Sequence, residues 1–320
     1  MFKVYKGEPK KDDIEMRKVY SSKLSELMKK DDRVVALEAD LMSSMTMDKV
    51  QKENPDKVIN CGIMEANMIG VAAGMSIAGK YPFAHTFTAF ASRRCFDQLF
   101  MSGAYQKNNI KVIGSDAGVT SVHNGGTHMS FEDMGIMRGL ADTTVMEMTD
   151  AVMFENILEQ IALKDGFYWI RTMRKNAATI YEKGSTFKIG KGNVLKDGKN
   201  ITLIANGIMV IEALKAAEKL EKEGNSVAVI DMFTLNPIDK ELIIEYGNKT
   251  GKIVTCENHS VHNGLGSAVA EVIAESGNAV LKRIGIQERY GQVGTLDFLM
   301  EEYGLTSEHI YKAALKLLEK

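Results

Sequence analysis

Short apolar runs rich in β-branched residues alternate with longer amphipathic runs along this chain, so strand-like and helix-like hydrophobic periods take turns. In the first half the pattern predicts strands at Arg33–Glu38, Lys57–Cys61, Phe83–Phe87, Lys111–Ser115, Thr143–Met148 and Phe167–Thr172. Helices are predicted between them at Asp13–Lys29, Met64–Ala78, Ser92–Lys107 and Asp150–Leu163. Thr149-Asp150 supplies an N-cap for the last of these, and Asp165-Gly166 supplies its stop. Residues 176 to 200 are polar and rich in Gly and Lys, which reads as a linker plus an edge hairpin with a boundary near Gly184–Gly190. The alternation then restarts. Strands are predicted at Ile201–Ala205, Ser226–Asp231, Lys252–Glu257 and Leu281–Ile286. Helices are predicted at Met209–Glu223, Asp239–Asn248 and Gly266–Glu275, with a last one ending at Leu318. Strands separated by helices imply βα units around a parallel sheet. The predicted fold class is α/β: two doubly wound, mainly parallel-sheet domains, residues 10–185 and residues 190–320.

One run stands out from this alternation. Between Lys57 and Lys80 the sequence VINCGIMEANMIGVAAGMSIAG carries a single charge, Glu65. An isolated carboxylate is costly to bury without a partner. Two readings follow: a helix-start acid facing water and the backbone dipoles, or a buried carboxylate that meets a nitrogen base on a ligand. The glycines, asparagines and Glu65 itself argue for a strand end followed by a buried helix rather than a membrane span.

Composition narrows the function. The chain has 320 residues, enough for two domains, and a formal net charge of -2 with 26% charged residues. Nothing in that balance points to nucleic acid or an anionic membrane. Cys61, Cys95 and Cys256 are far apart, with no CxxC pair, which fits a reducing cytoplasm and offers no disulfide or metal framework. The N-terminus MFKVYKGEPKKDD is too polar for a signal peptide. The Gly264-Leu265-Gly266 turn resembles a dinucleotide fingerprint but lacks its third glycine, so it reads as a tight strand-to-helix turn.

Three blocks carry a resemblance. Asn60 to Gly74 is similar to the stretch of transketolase-family enzymes that holds the glutamate activating thiamine diphosphate. His85-Thr86-Phe87-Thr88-Ala89-Phe90 with Arg94-Cys95-Phe96-Asp97-Gln98, and then Asn124-Gly125-Gly126-Thr127-His128, follow in family order and at family-like spacing. The resemblance runs from about Asp13 to His309. It implies a transferase moving a two-carbon ketol unit between sugar phosphates, with thiamine diphosphate as cofactor. Glu65 would hydrogen-bond the ring nitrogen opposite the cofactor's amino group, a bond strengthened by low dielectric. Phe87 and Phe90 would wall the pyrimidine, although by themselves they read equally well as core residues. Asp40 and Ser44 match an Asp-Leu-x-x-Ser segment, the Asp near the cofactor and the Ser near the substrate phosphate. Arg17 and Arg174 match two phosphate-gripping arginines, a residue type suited to bidentate capture. His128 matches a catalytic, substrate-contacting histidine, and Asn124 the position of a hydroxyl-contacting Asp.

There are departures. His123 and Asn124 stand where the family usually has an acidic pair, and Ser115 stands where some members have a phosphate-contacting His. The Gly-Asp-Gly motif that holds Mg²⁺ and the diphosphate occurs nowhere in the 320 residues. The resemblance therefore implies the C-terminal half of a split transketolase. A partner N-terminal subunit would carry the diphosphate and Mg²⁺ site, in an α₂β₂-type heterotetramer. The β subunit of a 2-oxoacid dehydrogenase first component and half of a deoxyxylulose-phosphate synthase share this architecture. A non-catalytic regulatory or scaffold subunit is the alternative of another class.

Overall fold

A computed structural model describes residues 1–277 and 279–319. Its first sheet has seven strands: β1 (Val34–Glu38), β2 (Val58–Asn60), β3 (Tyr81–Phe87), β4 (Ile110–Ser115), β5 (Thr143–Glu147), β6 (Phe167–Arg171) and one strand, described below, from the second half of the chain. The second has five: β7 (Asn193–Lys196), β8 (Ile201–Ala205), β9 (Val227–Asp231), β11 (Lys252–Ser260) and β12 (Val280–Ile286). The remaining strand, β10 (Thr234–Asn236), pairs antiparallel with β5. The orders are β10-β5-β6-β4-β3-β1-β2 and β12-β11-β8-β9-β7. All pairings are parallel except those of β10 with β5 and β7 with β9. Strands β1, β4, β6, β8 and β9 are buried along their whole length, as expected when helices cover both faces of a sheet. Among the described residues, no helix is long and apolar enough to cross a membrane.

Besides short helices at Asp48–Glu53, Asp133–Arg138 and Leu296–Glu302 that the periodicity does not reveal, three details differ from the sequence reading. The predicted Ser92–Lys107 helix is broken: a helix at Thr88–Arg93 ends, and a wide-turn segment at Leu99–Ala104 follows. The break sinks Cys95 into the core and leaves Arg94 outside the regular turn. Gly103 permits the wide turn to lie on Phe167, where a Cβ would come within 2.6 Å of the ring. The expected edge hairpin is instead a single edge strand, β7, laid antiparallel on β9. The chain just before it pairs with the N-terminus through isolated bridges, Val4 with Tyr181 and Lys11 with Ala178. Finally, β10 crosses to the first sheet, a pairing that periodicity over three residues does not reveal.

Where the linker, β9 and β5 converge lies a buried carboxylate, Asp231. Its Oδ2 accepts from Thr149 (2.8 Å) and from the Tyr181 hydroxyl (2.6 Å), while Oδ1 has no hydrogen-bond partner among the described residues. Burial pushes this carboxyl up to about 7. The folded state therefore binds a proton that the unfolded chain releases near the ordinary Asp value. Asp231 contributes stability at low pH and loses it as pH rises through about 7. Asp231→Asn is expected to raise the urea midpoint at pH 8 relative to wild type. It should also flatten the decline between about pH 4 and pH 7, whose limit for one proton is about 1.4 kcal/mol per pH unit. Parallel pH curves for variant and wild type would contradict this.

Candidate active site

The site assembles at the carboxyl ends of β1, β3, β4 and β6, where open parallel sheets bind ligands. Glu65 opens the helix Glu65–Ile77 and is 4% exposed. Its Oε1 accepts hydrogen bonds from Arg94 at 3.1 Å and from Thr86 Oγ1 at 3.4 Å. Arg94 thus supplies the counter-charge that the sequence run lacks. Its guanidinium also lies 3.8 Å from the centroid of the Phe90 ring, so carboxylate and aromatic face hold it together. Glu65 Oε2 accepts no hydrogen bond from any described residue and remains an open acceptor.

The aromatic wall stands beside it. Phe87 ends β3, and Phe90 lies one turn into the following helix. Their ring centroids are 6.1 Å apart, and His128 packs edge-on against both, at 6.0 Å from Phe87 and 5.0 Å from Phe90. Thr127 Oγ1 bonds His128 Nδ1 at 2.9 Å. The loop that delivers His128 is clamped from the second half of the chain. Asn258 Oδ1 accepts from the Val119 amide at 3.0 Å and Asn258 Nδ2 donates to the Ala117 carbonyl at 2.9 Å. Gly118 between them has φ +54°, and a Cβ there would lie 2.3 Å from Asn258 Oδ1.

The two candidate anion-binding arginines are neighbours through the backbone, the Arg17 amide donating to the Arg174 carbonyl at 3.1 Å. Arg174 Nε donates to Asp116 Oδ1 at 2.7 Å and its guanidinium carbon lies 5.0 Å from the Phe87 centroid. Arg17 Nε donates to Glu15 at 2.7 Å. The loop carrying Ser44 is tied to the same place, since Thr46 Oγ1 donates to the Arg17 carbonyl at 3.4 Å. Ser44 itself is half-buried, with no side-chain hydrogen bond among the described residues. Asn124 and His123 are exposed at the end of the Gly118–Asn124 turn. Asp40 follows β1, exposed, and its side chain pairs with Asn60 at 3.0 Å rather than with Glu65.

Sequence reasoning missed several participants. Arg94 falls within a stretch the resemblance covers, which assigns it no role. Its only local signal is a cation in the turn where an apolar helix face should continue. Asp116 and Glu38 give no signal in the sequence, and His85 and Ser115, though they fall in stretches the resemblance covers, give none of their contact with each other or with Asp116, which the fold brings about. Glu38 and His85 are register partners on β1 and β3. Burial pushes the carboxyl of Glu38 up, opposed by the His85 ring, and pushes that of Asp116 up, opposed by Arg174.

Two mainly parallel sheets covered by helices, the first carrying this cluster of side chains at its strand ends, make this an α/β protein. Residues 12–179 match the transketolase pyrimidine binding domain, and residues 190–310 match the transketolase C-terminal domain. The chain belongs to the transketolase family. It is 44% identical over 305 residues to the 6-deoxy-6-sulfo-D-fructose transketolase subunit SqwH of Clostridium sp. (strain MSTE9), covering 95% of each chain. It is 34% identical to human transketolase, spanning 97% of this chain and 50% of that protein. Among solved structures it is similar to a split gene transketolase described as an inactive beta4 tetramer, with a TM-score of 0.88 and 39% identity over 96% of this chain and 99% of that one.

The residues present fit the pyrimidine half of thiamine diphosphate, the cofactor the family implies. A buried carboxylate with one oxygen held and one open can accept a ring N–H, and Phe87, Phe90 and His128 offer apolar ring contacts. Among the described residues, no group of three or more His, Cys, Asp or Glu side chains is placed to hold a metal ion.

Proposed function

We propose that this chain is the pyrimidine-binding subunit of a split transketolase, active only with a partner subunit that carries the diphosphate and Mg²⁺ site. The observation that carries the reading is Glu65: a carboxylate buried at a helix start, counter-charged by Arg94, with an open oxygen beside an aromatic wall. In transketolases thiamine diphosphate supplies the carbanion that takes up and passes on the two-carbon unit. Glu65 holds the proton at the pyrimidine ring nitrogen and Phe87 and Phe90 orient the ring. His128, packed on that wall, contacts the sugar, and Asn124 offers an uncharged acceptor or donor to a sugar hydroxyl. Arg17, Ser44 and Arg174 bind the anionic tail of the ketose. Asp40 lies at the cofactor's edge.

A partner fits the surface around this site. The helix Glu65–Ile77 packs against the Phe96–Ala104 segment. Along both, large apolar side chains stay exposed, Ile77 by 72% and Tyr105 by 73%, with Ile63, Met64, Phe100 and Met101. Several such side chains on adjoining elements mark an interaction face. Ketol transfer is the test. The purified chain with thiamine diphosphate and Mg²⁺ is expected to show none, and addition of a subunit carrying Gly-Asp-Gly should restore it. Robust turnover by the chain alone would remove the split-subunit reading.

A further inference from the structure

The anion-binding arginines carry their own carboxylates, and the one on Arg174 is anchored from deep in the sheet. Strands β1 and β3 are parallel and in register at Glu38 and His85, so both side chains share one face. His85 Nδ1 lies 2.5 Å from Glu38 Oε2, and Nε2 lies 3.0 Å from Ser115 Oγ. Ser115 Oγ donates to Asp116 Oδ2 at 3.0 Å. A hydroxyl has one proton, so Ser115 accepts from His85 Nε2–H. The line is fully buried up to Asp116, which is 2% exposed and sits in the left-handed region at φ +57°. Asp116 then takes the Nε edge of Arg174, the inner side of the guanidinium. The terminal nitrogens of Arg174 bond no described residue.

The charges around this point nearly cancel. Arg17 is paired with Glu15, which also takes Lys175 at 3.2 Å, and Arg174 with Asp116. The cluster of Arg17, Arg174, Lys175, Glu15 and Asp116 is left with one net positive charge. It presents several N–H donors, yet its field suits one negative charge better than two. A phosphate monoester carries about -1.5 to -2 near neutrality. A sulfonate has the same tetrahedral oxygens and stays at one negative charge.

We propose that Asp116 is a specificity-determining residue that tunes the Arg174 subsite for a singly charged tail group, a sulfonate, over a phosphate dianion. The inference rests on the reading of Arg174 as the tail-binding arginine. Coulomb repulsion between buried Asp116 and the additional charge of a phosphate is large enough to shift selectivity about tenfold or more.

The test uses the assembled two-subunit enzyme with 6-deoxy-6-sulfo-D-fructose and fructose 6-phosphate as donors. Wild type should show the higher kcat/KM for the sulfonate. Its kcat/KM for the phosphate should fall, relative to the sulfonate, as pH rises through about 6, where the second phosphate proton leaves. Asp116→Asn should move the ratio about tenfold toward the phosphate and weaken that pH dependence, which a merely structural role would not do. A wild-type preference for fructose 6-phosphate overturns the proposal without any variant. So does an unchanged ratio in a folded Asp116→Asn enzyme. Arg174→Ala separates the two levels: it should lower kcat/KM for both donors by about tenfold or more. If it leaves both unchanged, the tail-binding reading of Arg174 itself falls.

Discussion

Glu65→Gln is expected to abolish ketol transfer by the assembled enzyme while leaving the fold and the assembly in place. Gln has nearly the same shape, and its amide oxygen can keep the bonds from Arg94 and Thr86. What it loses is the charge that stabilises a proton on the pyrimidine nitrogen. Positioned proton transfer contributes typically ~10²–10⁴-fold, so a loss of at least that order is expected at saturating cofactor. Arg94 is about half exposed, so water can solvate it once its partner is neutral. Melting temperature and subunit association should therefore change little. A loss of only a few-fold, with cofactor saturating, would return Glu65 to the role of an ordinary helix-start acid.

The largest stability effect is expected at Arg171, the last residue of β6. This side chain is fully buried. It donates to Asp133 at 3.0 Å and Glu147 at 2.9 Å, and to the carbonyls of Ser130 and Asn258 at 3.2 and 2.6 Å. Burial pushes the Glu147 carboxyl up, and Arg171 opposes that push. Arg171→Met keeps much of the volume but strands two carboxyl groups and two carbonyls in a dry site. Breaking a buried pair from one side typically costs about 3–5 kcal/mol. Urea unfolding of the full chain should show a loss of that size. Because Asn258 belongs to the half of the chain that clamps the His128 loop, cofactor affinity should weaken as well. A loss below about 1 kcal/mol would mean that the cluster relaxes or rehydrates readily.

The family resemblance, the two-sheet α/β fold and most strands were legible in the sequence. Burial on both sheet faces forces continuous apolar runs such as Val34–Glu38 and Ile201–Ala205, and those runs are visible without any tertiary information. Glu65 was legible for the same reason inverted: a lone charge in an apolar run is conspicuous. The Gly264 turn was also read correctly as a turn. Its helix-start amides, those of Leu265 and Gly266, are taken by the Glu257 carboxylate at 2.7 and 2.8 Å, so they are not free for a ligand. The break after Arg93 was not legible, because the apolar spacing of Ser92–Lys107 suits a continuous helix. The wide turn that follows the break packs Gly103 against Phe167, a contact between distant parts of the chain.

By itself, then, the sequence determined most of the strands and the longer helices, which family they belong to, and where one carboxylate had to find a partner. These depend on local spacing and residue type, which the chain carries at every position. Tertiary structure alone decided who the partners are. Arg94 reaches Glu65 across 29 residues, and Asp116 reaches Arg174 across 58. His85 meets Glu38 only because two parallel strands, joined through another strand and two helices, align in one register. Charge pairing and hydrogen bonding act over a few ångströms in space, whereas sequence patterns report neighbours along the chain.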